Sequence, residues 1–521
     1  MRNYAILKNL LLEKNMIKHN IYRLVCLFLI ALMLLPVVAC GNNPEADGTN
    51  DAVDTTAASG VEADTAPGNS DIVTEAPSNV DANGYLKDDL DPTLNFNNKE
   101  FTLLYWSDRE HEEFYVESQT GDLVDDAIYE RNMAVEDRLG IKFNYMTEKG
   151  NASNVNGFTS RVSNSISAGD HSYDLVSAHS YTIGKCATQD LLYNLADVEY
   201  IDFDKPWWPD KLISQATIND KLFFVSGDIS ANVIYMMYVT FFNKTLLENY
   251  NLEDPYKLVE DGKWTIDKQF EMCTNVYSDV NSNGVKDIGD QYGQYTYTLH
   301  LDSFLWGSDI VILDTTNEIP EFSEDFLGEK TLNLQNKVRT FFNDTNDGYL
   351  LTVNSTVHQH FSDGLSLFWN DRCRQAITFA SNEVSYGIIP IPKHDESQEN
   401  FATLLGNPFS LYGVPKDSLD TDMAGAVIEC MASESYRTIS PALYEVALKA
   451  KYSQDDIASK MFDISKSTVV FDLGRILSSS LGGPAGTWQN SIVGTASWTS
   501  TVKAVSKPWN KQLQTLLKVF E

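Results

Sequence analysis

Between residues 101 and 178, short apolar strands alternate with helices, and this alternation limits the folds that the chain can adopt. The predicted elements are, in order, a strand at 101–106, a helix at 124–139, a strand at 141–145, a helix at 158–168 and a strand at 173–178. The first helix has apolar residues at helical spacing and ends before Gly140, a typical helix terminator. A β-α-β-α-β order predicts an α/β domain with a largely parallel sheet.

A second α/β region follows the first, with predicted strands at 236–242, 365–369 and 386–392. Helices at 423–432 and 442–451, Gly- and Ser-rich loops and a last helix complete the chain. In open α/β sheets, ligands bind beyond the carboxyl ends of the strands. Trp106 and Tyr181 lie at two such ends.

Length and charge narrow the classes of protein further. A chain of 521 residues favours two or more domains. Its net charge of −34 argues against binding to nucleic acid or to anionic lipid headgroups. The cysteines Cys186, Cys273, Cys373 and Cys430 show no metal-type spacing and are predicted to be buried free thiols.

The first forty residues are typical of a secretory signal. A basic leader precedes an apolar run at 24–39, which ends in small residues before Cys40 and Gly41. This junction resembles the bacterial lipobox, which implies a signal peptide at 1–39 and a lipid on Cys40. The protein would then be held by its lipid on the extracellular face of the cell membrane. The alternative is an uncleaved anchor with an incidental cysteine.

The segment after Cys40 is acidic and poor in large apolar residues. No Lys or Arg occurs between Gly41 and Tyr85, whereas Asp and Glu recur along the stretch. Same-sign charge without apolar groups cannot offset chain entropy, so residues 40–97 are predicted to be a disordered, extended tether.

A calcium-type loop lies at 279–290. Its candidate ligands are Asp279, Asn281, Asn283, Asp287 and Asp290, with the backbone carbonyl of Val285. Oxygen side chains at positions 1, 3, 5, 9 and 12, with Gly at position 6, are the spacing of an EF-hand-type loop. A structural Ca²⁺ is therefore predicted; an Asx-rich surface loop is the alternative.

Several segments in a fixed order carry a family resemblance. They are Tyr173-Asp-Leu-Val, Tyr181 through Leu192, Lys205-Pro-Trp-Trp, Phe242-Asn-Lys, Gly262-Lys-Trp-Thr-Ile and Tyr386-Gly-Ile-Ile-Pro-Ile-Pro-Lys. Together they resemble the extracellular solute-binding proteins of ATP-binding-cassette importers, in the carbohydrate-binding, maltodextrin-binding-protein-like group.

The resemblance implies a type II periplasmic-binding-protein-like fold, with two α/β lobes, a central cleft and a hinge of several crossings. The first lobe would take residues 98–230 and 412–455. The second would take 235–400 and 456–521, and it would contain the loop at 279–290. The implied function is to bind a carbohydrate, specifically an oligosaccharide, and to deliver it to a membrane permease. The receptor would be a monomer and not an enzyme.

Sugar sites need flat aromatic platforms and planar hydrogen-bonding groups. The candidate platforms are Trp369, Trp306, Trp106 and Tyr181, and the candidate hydroxyl contacts are Asp309, Asp228, Asn243 and Asn407. Trp369 stands where maltodextrin-binding relatives carry a stacking tryptophan. Core packing is the alternative for the rings, and helix capping or turn formation is the alternative for Asp and Asn.

Few cations occur at the predicted strand ends, Arg372 being the nearest, and this favours a neutral ligand. Two other functions stay open. A surface glycoside hydrolase would need two facing carboxylates, for which Glu110, Glu112 and Glu113 are the only acidic cluster near a platform. A sensor or adhesin of the same fold is the third function. His358 and His360 would share one strand face without a third zinc ligand.

Overall fold

The computed structural model describes residues 79–317, 319–351, 357–380, 382–444 and 456–521. All described residues belong to one compact unit, Glu75–Glu521. The predicted signal peptide, Cys40 and the tether up to residue 78 lie outside the described residues, as do residues 445–455 of the predicted first lobe. None of the described helices is long and apolar enough to span a membrane.

Short strands make up two main sheets and two small ones. In chain order the strands are β1 (Lys99–Trp106), β2 (Ile141–Glu148), β3 (Leu175–His179), β4 (Tyr238–Asn243), β5 (Tyr292–Tyr297), β6 (Leu313–Asp314), β7 (Glu321–Phe322), β8 (Gly348–Leu351), β9 (Ser366–Arg372), β10 (Tyr386–Pro390), β11 (Thr403–Leu404), β12 (Ser410–Gly413) and β13 (Val469–Val470).

Helices cover the sheets and form the end of the chain. In chain order they are α1 (Leu123–Leu139), α2 (Val155–Ala168), α3 (Ser180–Thr188), α4 (Asp210–Ala216), α5 (Asn232–Tyr235), α6 (Lys244–Asn249), α7 (Pro255–Glu260), α8 (Ile266–Cys273), α9 (Asp302–Gly307), α10 (Glu324–Leu327), α11 (Glu329–Asp344), α12 (Val357–Ser362), α13 (Gln375–Phe379), α14 (Thr421–Arg437), α15 (Ile439–Pro441), α16 (Asp456–Ser467), α17 (Leu473–Ile476), α18 (Pro484–Val493) and α19 (Trp498–Leu516). In the described part of the chain, 3₁₀ helices lie at Leu195–Asp197, Thr298–Leu301 and Leu517–Phe520.

The first lobe is built on a four-stranded sheet with the order β12-β3-β1-β2. β1 is parallel to β2 and β3, and β12 is antiparallel to β3. α1 begins where the Asp122 side chain accepts hydrogen bonds from the Val124 and Asp125 backbones, and it ends at Gly140, which has a φ of 57°. The predicted β-α-β-α-β order is therefore confirmed in this lobe.

The second lobe is built on a five-stranded mixed sheet with the order β10-β4-β9-β5-β8. β9, β5 and β8 run parallel, whereas β4 is antiparallel to both β9 and β10. The two antiparallel pairings give β4 a buried position near the middle of the sheet, and all six of its residues are buried.

Two described segments cross between the lobes side by side. One leads from the first lobe into β4, and the other returns from β10 to β12. They touch at two isolated β-bridges, Val225–Tyr412 and Met237–Leu405. Residues 221–227 pair only through single bridges, because this stretch serves as a crossing rather than as a sheet member.

The C-terminal segment contacts both lobes. Gly184 of α3 lies against Ile476 of α17, so a Cβ at residue 184 would meet the Ile476 side chain and carbonyl at 3.1 Å. α19 packs against α11 of the second lobe, whereas the 3₁₀ helix after it places Phe520 against Phe223, at a ring distance of 5.0 Å.

Residues 79–97 are packed, although they belong to the predicted tether. Leu90 is buried, the Asp88 backbone donates to Ser433 Oγ at 2.9 Å, and Arg138 Nη1 lies 2.6 Å from Asp88 Oδ2. The structure therefore differs from the predicted tether end at residue 97. Charge and composition suggested an extended chain, and they did not reveal the few buried contacts that fix this segment to α1 and α14.

The four cysteines Cys186, Cys273, Cys373 and Cys430 are free and buried, which confirms the prediction. Burial raises the pKa of each thiol.

Candidate functional site

A polar cavity of about 180 Å³ lies between the two lobes. Glu110, in the loop after β1, is its first-lobe member. The main residues from the second lobe and the returning crossing are Tyr238, His300, Asp371, Arg372 and Asn407. Most of these residues stand at the ends of strands or just beyond them, where α/β sheets place their ligands.

One wall of the cavity is aromatic. The His300 ring lies edge-on to the rings of Tyr238, at 5.7 Å, and of Trp369, at 5.3 Å. Burial raises the pKa of Tyr238 and lowers that of His300. Tyr238 therefore keeps its hydroxyl proton, and the His300 imidazole is neutral near pH 7, so both act as uncharged hydrogen-bonding groups.

Asp371 is the buried anion of the site. Its carboxylate accepts from the Arg372 backbone at 2.7 Å and from Trp369 Nε1 at 3.3 Å, and it lies 3.5 Å from His300 Nε2. Burial opposes ionisation, but His300, Arg372 and these hydrogen bonds outweigh burial and lower the pKa of Asp371. The cavity thus contains a fixed, ionised acceptor of the kind that binds hydroxyl groups.

Two arginines of the second lobe reach Glu110 of the first. Arg372 Nη1 lies 3.0 Å from Glu110 Oε1 and 3.2 Å from Oε2, and Arg374 also contacts Glu110 Oε2. The side chains are 18% to 30% exposed. The contact joins the two lobes beside the cavity.

A buried ion pair between an arginine and an aspartate fixes the wall beside the cavity. Arg475 Nη2 lies 3.1 Å from Asp302 Oδ2, and the Arg475 guanidinium lies 4.8 Å from the centre of the Trp306 ring. Gln489 donates to the other Asp302 oxygen at 2.8 Å. Asp302 and Arg475 are almost fully buried, so this pair belongs to the rigid frame of the site.

The structure seals the three predicted tryptophan platforms inside the lobes. Trp369, Trp306 and Trp106 are at most 1% exposed. Trp306 Nε1 donates to Asp472 at 2.9 Å, and Trp106 Nε1 donates to Ser410 Oγ at 2.9 Å. Trp369 lies within β9 rather than at its end, and Trp306 lies in α9 rather than in a loop. A stacking role for these rings does not fit this conformation.

Tyr181 and Asn407 lie at the cleft. The Tyr181 hydroxyl is hydrogen-bonded to the Asn407 side chain, and burial raises its pKa to about 12. Asn407 borders both the cavity and the narrow gap beside Trp306. The two residues join the first lobe to the returning crossing, so their predicted part in binding stays a prediction with suitable geometry.

The other predicted hydroxyl contacts lie away from the cavity. Asn243 is buried and caps α6 by accepting from the Leu246 backbone at 3.0 Å, while Asp309 is exposed in a turn with a φ of 54°. Burial raises the pKa of Asp228 to about 7, against the opposing effects of Lys466 and a Ser440 hydrogen bond. Capping and turn formation account for the first two residues.

The acidic cluster of the hydrolase alternative does not form a facing pair. Glu110 is held by the arginines, and Glu112 pairs with Arg109. Glu113 is fully buried, where its carboxylate accepts from Ser230, Ser410 and the Asn232 backbone. Burial raises the pKa of Glu113 despite these bonds. Glu113 therefore ties the loop after β1 to both crossings.

Sequence reasoning missed Tyr238, His300, Asp371 and, as a cleft residue, Glu110. The nearest signal was the polar run Asn370-Asp371-Arg372 directly after the Trp369 strand. His358 borders the cavity. It lies with His360 on α12, a short helix before β9, and not on the predicted strand.

The loop at 279–290 folds around its own polar side chains. The Asp279 carboxylate accepts from the backbones of Asn283, at 3.2 Å, and Gly284, at 2.8 Å. Gly284 has a φ of 75°, which the turn at position 6 requires. Asp290 is buried, and its Oδ1 has no hydrogen-bond partner. Within the described ranges, no three His, Cys, Asp or Glu side chains are grouped to hold a metal ion, so calcium binding would depend on asparagine and backbone oxygens as well.

No family model matches the sequence, and no curated protein matches it. Solved structures do match over most of the chain. The cyclic α-maltosyl-1,6-maltose binding protein from Arthrobacter globiformis is 14% identical, with 80% of this chain and 99% of that chain covered and a TM-score of 0.54. The galacto-N-biose-/lacto-N-biose I-binding protein of Bifidobacterium longum is 11% identical, with 81% and 98% covered and a TM-score of 0.53.

The maltose/maltodextrin-binding domain MalE from Bdellovibrio bacteriovorus is similar to the same extent. It is 12% identical, with 80% of this chain and 100% of that chain covered and a TM-score of 0.51. All three are binding proteins rather than enzymes. These similarities establish the fold: the chain has two α/β lobes of the type II periplasmic-binding-protein kind, which confirms the predicted fold class and, as a fold, the resemblance to carbohydrate-binding receptors.

Proposed function

We propose that this protein is an extracellular receptor that binds an oligosaccharide between its two lobes and delivers it to an ATP-binding-cassette permease. The observation that carries the proposal is the polar cavity between the lobes, at the strand ends of a fold that known sugar receptors share. Its Asp371 carboxylate, neutral His300 and Tyr238 hydroxyl are suited to accept and donate hydrogen bonds to sugar hydroxyls.

Binding would use the two-lobe construction. An open form exposes Asp371 and His300 of the second lobe, and closure around the ligand adds Tyr181 of the first. A ligand shifts the population toward the bound form only as far as it prefers that form. The permease would then recognise the ligand-bound receptor.

Thermal-shift and calorimetric titration with mono- and oligosaccharides test the proposal. At 100 times the dissociation constant, a ligand of the folded state stabilises it by about 2.7 kcal/mol. Asp371→Asn should abolish the shift, whereas Asp344→Asn, which changes an exposed acid at the end of α11, should retain it. Stabilisation by peptides or metal ions, with none by any sugar, would refute a carbohydrate receptor.

The anchor and the permease rest on the sequence. A lipid on Cys40 would hold the receptor on the extracellular face of the membrane while the tether lets it reach its partner. Cys40→Ala should release the protein into the medium, and Cys26→Ala is the matched control. Sugar uptake that continues without the receptor would favour the sensor or adhesin alternative.

We also propose that the loop at 279–290 binds a structural Ca²⁺. The buried Asp290, with one unpartnered carboxylate oxygen, and the turn at Gly284 support this proposal. Ca²⁺ should raise the melting temperature of the protein. We expect its dissociation constant to be about 10⁻⁴–10⁻³ M, as in other extracellular modules. Asp290→Asn should remove the rise in melting temperature with Ca²⁺. A wild-type melting temperature that does not change when a chelator removes Ca²⁺ would contradict the proposed site.

A further inference from the structure

Among the described residues, Glu110 is the counter-ion that the first lobe supplies to the arginine pair Arg372 and Arg374. Arg372 and Arg374 both contact Glu110, and Arg372 Nη1 approaches both carboxylate oxygens, at 3.0 and 3.2 Å. Arg372 shares this one nitrogen between the two oxygens, and Arg374 adds a second guanidinium to the same carboxylate. Arginine is well suited to recognise acidic groups because its charge is permanent and its donors are several.

The charges around the cavity balance only while Glu110 is in place. Arg372, Arg374 and Arg475 carry three positive charges, and Asp371, Asp302 and Glu110 carry three negative ones. Arg475 and Asp302 are committed to each other inside the frame. When Glu110 withdraws with the first lobe, the second lobe keeps two arginines and only Asp371 beside them.

The size of the cavity favours such a withdrawal. Its volume of about 180 Å³ is below the roughly 300–1,000 Å³ of ordinary small-molecule sites. An oligosaccharide therefore holds the lobes further apart than they are in this structure. Glu110 Oε1 lies 3.0 Å from Arg372 Nη1, so even a modest separation of the lobes breaks this contact.

The expectation of a neutral ligand rested on the scarcity of cations at the strand ends. The end of β9 instead brings Arg372 and, two residues later, Arg374 to one spot, in a protein whose net charge is −34. Negative surroundings do not attract an acidic ligand over long distances, so its recognition has to come from this local pair.

We propose that Arg372 and Arg374 form a carboxylate-binding subsite, which Glu110 fills in the closed form without ligand and which the carboxylate of a uronic-acid-containing oligosaccharide fills in the bound form. The inference rests on the proposed carbohydrate function and names the chemical class of its ligand. When the ligand carboxylate replaces that of Glu110, the charge balance of the site is preserved. A neutral sugar that displaces Glu110 leaves the two arginines without this counter-charge.

Calorimetric titration with matched ligands tests this subsite. Trigalacturonic acid and oligosaccharides of glucuronic and mannuronic acid are each compared with their methyl esters, which keep the sugar skeleton and lose the charge. Maltotriose and cellotriose serve as neutral sugars without a carboxyl position. At least one acid should bind about 10- to 100-fold more tightly than its ester, as expected for hydrogen bonds to a charged group.

Variants separate the subsite from a simple closure contact. R374Q should weaken binding of the acid about 10-fold or more and leave binding of its ester unchanged. R339Q, an arginine on α11 outside the cavity, should change neither. E110Q should strengthen binding of the acid, because it removes the internal competitor.

The outcomes distinguish the two proposals. Preference for esters or neutral sugars, with R374Q equal to wild type, overturns the carboxylate subsite and leaves the carbohydrate function standing. Binding of sulfated sugars but of no uronic acid also overturns it. Absence of binding by any sugar overturns both proposals. Circular dichroism of each variant confirms that it is folded.

Discussion

Two arginine–carboxylate contacts near the cleft differ in what they join. Arg475 and Asp302 are 6% and 0% exposed, and Asp302 also accepts from Gln489 while Arg475 donates to the Leu405 carbonyl. Arg372 and Glu110 are 18% and 30% exposed and belong to different lobes. The first contact stabilises a frame that does not move, and the second can break whenever the lobes separate. The chain thus uses one type of ion pair, arginine with a carboxylate, in two ways. The buried pair gives rigidity, and the partly exposed pair gives a reversible contact.

The frame pair should give the largest effect on stability. Asp302→Ala leaves the Arg475 guanidinium buried without its partner, which costs about 3–5 kcal/mol in the free energy of unfolding. Chemical denaturation followed by tryptophan fluorescence measures this loss. Asp344→Ala, at an exposed position, is the control and should change little. A loss below about 1 kcal/mol would mean that water reaches the pair.

Protonation of buried histidine should have the next largest effect. Burial lowers the pKa of His179, at the end of β3, from 6.5 to about 3. The unfolded state therefore takes up the proton first, and stability is lost as the pH falls from about 6.5 toward 3. Between pH 6.5 and 5 this amounts to about 2 kcal/mol.

Unfolding curves at pH 7 and 5 measure that effect. His179→Gln should be less stable than wild type at pH 7 and should lose less on acidification. An equal pH dependence in both proteins would show that other groups, such as the carboxylates, account for the acid sensitivity.

The contact between lobes should give a small effect on stability. Glu110→Gln removes a partly exposed pair, and such pairs contribute about 0.2–1 kcal/mol. A change as large as that of Asp302→Ala would contradict the distinction between frame and reversible contact. The two variants are best measured side by side under the same conditions.

Salt should have the smallest and most selective effect. Raising the ionic strength screens the partly exposed Glu110 contact more than the buried Asp302 pair. The radius of gyration of the ligand-free protein in solution scattering should therefore increase slightly with salt. In Glu110→Gln that dependence should disappear; a radius that does not respond to salt in wild type would show that apolar contacts close the lobes.

The sequence predicts the strands and helices of the first lobe better than it predicts the residues of the cleft. The alternation at 101–178 predicts the strands and helices of the first lobe because hydrophobic periodicity reports local burial. The same property explains why Trp369 is misleading: an apolar strand predicts that its tryptophan is buried, and it lies inside β9 with 0% exposure.

The cleft depends on contacts between distant parts of the chain. Glu110 and Arg372 are 262 residues apart, and no local pattern connects them. Tyr238 and His300 meet because β4 and the 3₁₀ helix at Thr298–Leu301 converge in the folded second lobe. Their positions follow from sheet order, which hydrophobic periodicity does not specify. The polar run Asn370-Asp371-Arg372 was the one local sign of the site.

A crystal structure of the protein with an oligosaccharide that it binds is the most direct test of ligand binding between the lobes. We expect the sugar to lie between the lobes, hydrogen-bonded to Asp371, with Glu110 withdrawn from Arg372. A sugar bound on an outer surface, with the Glu110 contact intact and the cavity unchanged, would contradict it.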